Sequence, residues 1–93
     1  MIIGTAQIKL YAPWVSSLKD KRMIVKSMMA KTRHKFNIAI AEVEEQDTHQ
    51  MIVLGIACVT GSTSHADSIL DHVITFIEDH TEAEIISIDR ENR

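Results

Sequence analysis

The sequence predicts an α+β sandwich, a four-stranded antiparallel sheet with two helices on one face. Three observations carry this. Apolar residues alternate with period two in Ile2–Leu10 and Phe36–Val43 and run unbroken through Met51–Val59, they recur at helical spacing in two other segments, and with a short last strand the six segments follow one another as β-α-β-β-α-β. A chain of 93 residues without repeats, linkers or low-complexity stretches is one domain, spanning 1–93. With 45% apolar residues but only 4% aromatic ones, its core has to be built from Ile, Val, Leu, Met and Ala.

Ile2 to Leu10 reads as a half-buried strand, with Ile2, Gly4, Ala6, Ile8 and Leu10 on one side and Thr5, Gln7 and Lys9 on the other. Pro13 ends it, because proline has no N–H for the ladder. Ser16 or Ser17 then caps the first helix by accepting an orphan N–H of its first turn. On that helix Leu18, Val25, Met28, Met29 and Thr32 share the core-facing stripe. Phe36 to Val43 alternates again, with Phe36, Ile38 and Ile40 opposite Asn37, Ala39 and Ala41, and Gln46-Asp47-Thr48-His49 turns a hairpin. Met51 to Val59 is apolar on both sides, as befits a central strand. Gly61-Ser62-Thr63-Ser64 stops it, and Ser64 with Asp67 has the spacing of a capping box for the second helix. Ala66, Ile69, Leu70, Val73, Phe76, Ile77 and His80 carry that helix to about residue 80. Glu84 to Ile88 is a short last strand, and the polar run 89–93 is expected to fray.

With right-handed crossovers this order closes as the ferredoxin-like sandwich. The first helix and second strand are then antiparallel neighbours, so the helix's start lies beside the strand's end. Glu42 continues the Phe36/Ile38/Ile40 face and points there, toward Lys21 and Arg22. A carboxylate beside two cations at the rim of a core is expected to be a structural ion pair. The alternative is a functional site, but Lys, Arg and Glu alone supply no nucleophile with an activating base.

Charge is strongly segregated. Positions 19–35 hold seven of the ten Lys and Arg residues against one acid, Asp20, a net of +6. Three cations against twelve acids leave the rest of the chain at −9, for a total of −3. On the wheel Lys19, Arg22, Lys26 and Arg33 line one flank of the apolar stripe, and Lys31 and Lys35 the other. A solvated helix face gains from opposite charges at i,i+4, and this one has almost none; its cations repel one another instead. The segment therefore points to an anionic partner, the phosphates of a nucleic acid such as RNA or else an acidic protein surface.

Other chemistries lack their residues. One cysteine, Cys58, excludes an internal disulfide, and no Cys/His spacing suits a metal; His65 and His72, two turns apart, cannot share one ion. No cofactor motif occurs, and the reading is of a non-enzymatic binding module. An RNA-recognition motif would stack bases on aromatics of its central strands, and Met51-Ile52-Val53-Leu54-Gly55-Ile56 has none. A phosphate-cradling loop after the first strand would need glycine and arginine, and Tyr11-Ala12-Pro13-Trp14-Val15-Ser16-Ser17 has neither. No apolar run approaches the ~18 residues of a membrane span, and Met1 leads straight into Ile2-Ile3-Gly4 without a charged leader. A cytoplasmic protein is expected.

Helices on one side leave the other side of the sheet open. There Ala39, Ala41 and Val43 meet an apolar third strand, a surface expected to be covered by a second copy in a homodimer or by another protein.

Ser17-Leu18-Lys19-Asp20-Lys21-Arg22, Phe36-Asn37-Ile38-Ala39-Ile40-Ala41-Glu42-Val43 and Gln46-Asp47 together resemble the YlxP-like family of small bacterial proteins of unknown function. The resemblance covers nearly the whole chain. It implies a ferredoxin-like fold, a bacterial cytoplasmic setting, and genes often placed beside those for translation and ribosome maturation. It implies no catalytic residue, because the family has no assigned activity. Members typically carry an aromatic just after the hairpin turn, where this chain has His49.

Overall fold

The computed structural model describes residues 1–93. Six elements follow in chain order: β1 (Ile2–Tyr11), α1 (Leu18–Lys35), β2 (Ala39–Glu44), β3 (Met51–Thr60), α2 (Thr63–His80) and β4 (Glu84–Asn92). The sheet runs β2-β3-β1-β4, and all three ladders are antiparallel. This is the ferredoxin-like sandwich that the alternation predicts. Ala6, Ile8 and Leu10 of β1 and Ile52, Leu54, Ile56 and Cys58 of β3 turn inward, onto Val25 and Met28 of α1 and Leu70, Val73 and Ile77 of α2. No helix is long and apolar enough to cross a membrane.

Local polar groups set the element ends. Ser17 caps α1, its Oγ accepting the Asp20 N–H at 3.1 Å, and Ser16 donates to the Asp20 carboxylate. Arg33, His34 and Lys35 fill the last turn, where cations suit the helix dipole. Thr32 is fully buried because its hydroxyl donates to the Met28 carbonyl one turn back, at 2.8 Å. The loop after β1 is tied to the start of β3: Ala12 N–H donates to the Gln50 carbonyl, and the Gln50 amide to the Pro13 carbonyl.

Three expectations are corrected. The second strand enters its ladder at Ala39 rather than Phe36; Phe36 is the extended C-cap of α1, and with Ile38 it packs on the core before pairing begins. The cap of α2 is Ser62 rather than Ser64: its Oγ accepts the His65 N–H, while Thr60 Oγ1 donates to the Ser62 carbonyl and fixes the cap residue. Asp67 is therefore not half of a capping box. It faces Arg90, and this explains the third correction, the tail that was expected to fray.

β4 continues to Asn92, and Arg93 exchanges two further 2.8 Å backbone hydrogen bonds with Ile3. Alternation places Arg90 and Asn92 on the helix side. Arg90 pairs there with Asp71 and Asp67 of α2, and Asn92 donates to Asp67. A run that is polar in sequence is thus an edge strand stitched to a helix by its polar side chains.

The inward side of β1 is tight at Gly4. A Cβ there would stand 3.0 Å from Ala66 Cβ, which is fixed to its backbone, and 3.1 Å from Sγ of the buried Cys58. At Gly55, on the open side, the neighbour is Val43 Cγ1 at 2.8 Å, but that valine is partly exposed on an edge strand and free to turn. Gly4→Ala is therefore expected to cost about 1–3 kcal/mol in denaturant unfolding, and Gly55→Ala less. The reverse order would contradict this packing.

Candidate functional site

Helix α1 carries both the charge and the main structural surprise. Leu18, Lys21, Val25, Met28 and Thr32 recur at 3-4-3-4 spacing, and Lys21 is buried with Val25, Met28 and Thr32, at 1% exposure. Its ammonium faces the β2–β3 turn, donating to the carbonyl of Glu45 and, at 2.6 Å, to that of Thr48. Glu42 Oε2 lies 2.9 Å from the same nitrogen, an ion-pair distance reached too obliquely for a hydrogen bond. Two carbonyls and one carboxylate thus surround a group with three protons to give. Glu45 has a left-handed backbone, φ 61°, a conformation costing a non-glycine residue about 1–2 kcal/mol. Its carbonyl, which also accepts the Thr48 N–H, is the one that Lys21 grips. The cluster fastens a strained turn to a helix.

Arg22, expected beside Glu42, is exposed and forms no ion pair. One residue along the helix is a turn of about 100°, which carries its side chain out of the seam and onto the flank.

The six other cations of the segment, Lys19, Arg22, Lys26, Lys31, Arg33 and Lys35, are all exposed and none is within ion-pair distance of a carboxylate. The one acid among them, Asp20, is engaged with Ser16. Lys19 to Lys35 spans about 24 Å of helix at 1.5 Å per residue. Lys31 lines the seam with α2, and Lys35 lies 5.7 Å from the centre of the Phe76 ring, within cation–π range. Lys19, Arg22, Lys26 and Arg33 occupy the opposite flank, on the side of the β2 edge. The molecule is therefore polarised, with free cations along α1 and carboxylates spread over α2, β4 and the hairpin turn.

On the open side, Ala39, Ala41 and Val43 are exposed. They wall a trough of about 450 Å³ whose floor is Gly55 and Ala57 of β3 and whose far wall is Asp89 and Glu91 of β4. The expected apolar face is thus only half apolar. Val43 sits at a bulge in the β2 ladder and folds over Gly55, and Val53, on the open side in register, is 2% exposed.

A second concavity, of about 340 Å³, lies between the helices. Trp14 from the β1–α1 loop and Met23 of α1, 50% and 64% exposed, stand over it beside Phe76 and His80 of α2. The exposed His80 ring stacks on Phe76 at 4.0 Å. His65 and His72 are exposed on α2, and no three His, Cys, Asp or Glu side chains converge as metal ligands.

The sequence places Lys21 beside Glu42, as the structure has it, but not its full burial or its grip on the turn carbonyls, and it gives Trp14 no role. Lys21 stands three residues after Leu18 and four before Val25, on the apolar stripe itself. That spacing is the available signal for its burial. Trp14 read as part of a chain break.

The chain belongs to the family described as protein of unknown function (DUF503), whose model matches residues 3–90. It is 35% identical over 83 residues to the uncharacterized protein YlxP of Bacillus subtilis (strain 168), covering 89% of this chain and 90% of that protein. Among solved structures it is similar to a de novo designed protein with a ferredoxin fold, LFR1 1, determined by solution NMR. That TM-score is 0.62 at 19% identity, over 100% of this chain and 86% of the other, a likeness of fold alone.

The Lys21 cluster makes a testable distinction. Lys21→Ala strands Glu42 and two turn carbonyls and is expected to cost about 3–5 kcal/mol, whereas Glu42→Gln, which leaves both carbonyl contacts, costs less. Urea unfolding of both variants measures this. A stable Glu42→Gln protein with altered ligand binding would instead mark the cluster as functional.

Proposed function

We propose that this protein is a binding module for RNA, free or in a ribosomal particle, and that α1 is the contact surface. The observation that carries this is the row of six exposed cations without a carboxylate partner, in a chain whose net charge is negative. Lys19, Arg22, Lys26 and Arg33 form its most continuous part. A helix selected only for solubility gains by interspersing acids among its cations. Here the acids are elsewhere in the fold, so the local field is positive and extends along the helix. The family's implied setting beside translation genes points the same way.

Phosphate contacts release counterions, and each contributes about −0.7 to the slope of log affinity against log salt on a single strand. Four contacts give a slope of about −2.8. Binding of single-stranded RNA, followed by fluorescence anisotropy between low and moderate salt, is expected to show it. Replacing Lys19, Arg22, Lys26 and Arg33 with Ala is expected to flatten the slope and weaken binding. No binding at low salt, or binding indifferent to the four substitutions, would overturn the proposal. Partners retained from a nuclease-treated lysate by the native chain but not by the four-Ala variant would point to an acidic protein instead.

A second reading rests on the open side of the sheet, where Ala39 and Ala41 border a trough floored by Gly55 and Ala57. Side chains this small let two sheets approach to the ~10 Å of packed sheets, so a second copy is the partner proposed there. A twofold contact uses the same patch on both partners, so one substitution acts twice. Ala41→Glu is expected to give monomers while Lys26→Glu leaves assembly intact. A native monomer at micromolar concentration in sedimentation would remove this reading.

A further inference from the structure

We infer that the groove between the two helices takes an unpaired base of the bound strand. This rests on the RNA-binding reading above and deepens it. The chain has four aromatic residues, and three of them gather at the seam between the helices: Trp14, Phe76 and, edge-on to Phe76 at 5.5 Å, Phe36. His80 extends the stack. The sheet, where this fold could also present a stacking surface, offers only Tyr11 at the end of β1.

Trp14 is half exposed, and Met23 beside it more so, although each would gain by burial. Side chains of this kind, amphipathic or soft and left partly uncovered at the mouth of a cavity, are those that bound partners bury. The cavity, about 340 Å³, lies at the lower end of small-ligand clefts, a size suited to one ring system rather than to a helix or a strand.

Charge says how the occupant lies. Lys31 stands on the α1 wall, and Lys35 follows one turn on, over Phe76. Glu82 stands on the opposite wall. A phosphate is drawn to the α1 wall and repelled from the other, whereas Glu82 can accept from a base's amino group. A nucleotide meets this arrangement with its backbone along α1 and its base directed toward α2. An acidic peptide would bring its charge against Glu82, and it carries no ring obliged to stack. Duplex RNA, with its bases paired, cannot enter.

Trp14 is the chain's one tryptophan, so its fluorescence reports on the groove. Three probes at low salt separate the outcomes: a single-stranded RNA of mixed sequence, a duplex of equal length, and polyglutamate. The expected result is quenching by the single strand alone. Trp14→Leu is expected to weaken the single strand by about five- to a hundredfold, the worth of one stacked base, with the salt slope unchanged because no phosphate contact is lost. Met23→Glu, at an exposed position that folding tolerates, is expected to reduce the quenching as well. Single-strand binding without quenching, equal affinity in Trp14→Leu, or quenching by polyglutamate would each overturn the inference and leave the cation surface standing. Failure of every nucleic acid to bind would remove the RNA reading itself.

Discussion

The ammonium of Lys21 is the point on which the rest of the structure turns. A lysine at 1% exposure is tolerable only if its charge and its protons are answered, and here Glu42 and the carbonyls of Glu45 and Thr48 answer them. Those partners come from the end of β2 and from the turn that follows it. One nitrogen therefore fixes the start of α1 over the hairpin, holds a left-handed residue in place and sets where β3 begins. The side-chain stem, lying between Leu18 and Val25 on the buried stripe, contributes packing as an aliphatic chain would. A buried ion pair is weak evidence for stability, because desolvation cancels much of its attraction. Its stronger consequence is geometric: this one ammonium reaches two carbonyls and a carboxylate only when helix and turn are in register.

With Lys21 inside, the remaining cations of α1 are outside and unopposed. This division makes the basic segment informative. Seven cations along one helix look uniform in sequence, but one of them is structural and the other six are free. The fold also separates them in space from most of the carboxylates, which sit on α2, β4 and the turn. The two wet surfaces differ in kind. Along α1 and the helix seam there are cations and exposed aromatic surface, whereas the open side of the sheet has small apolar residues that give way to Asp89 and Glu91.

Much of this was legible in the chain. The alternation in Ile2–Leu10, the unbroken apolar run Met51–Val59 and the helical spacing of Val25, Met28, Leu70 and Val73 were enough to place the core, because such patterns have few ways to bury themselves. The approach of Glu42 to the start of α1 followed from topology alone. What escaped were features decided by polar partners distant in sequence. The run 89–93 looked like a tail because its residues are polar, yet Arg90 and Asn92 find Asp67 and Asp71 across α2. Ser62 rather than Ser64 caps α2 because Thr60 holds it there. The pairing of Lys21 with Glu42 was expected, but its burial and its hold on the carbonyls of Glu45 and Thr48 were not, because a turn's backbone leaves no mark in the pattern of residue types. Of the candidate site, the six free cations could be read from spacing. The groove beneath Trp14 could not, since it forms only where a loop, α1 and α2 meet.

The central claim is that α1 has one structural lysine and a set of free cations that engage a polyanion. NMR observation of the lysine ammonium groups during titration with single-stranded RNA tests it most directly. The Lys21 ammonium should be protected from solvent exchange in the free protein and unmoved by RNA, while those of Lys19, Lys26, Lys31 and Lys35 shift. A Lys21 signal that exchanges as fast as the others, or that moves with them on addition of RNA, would contradict the account.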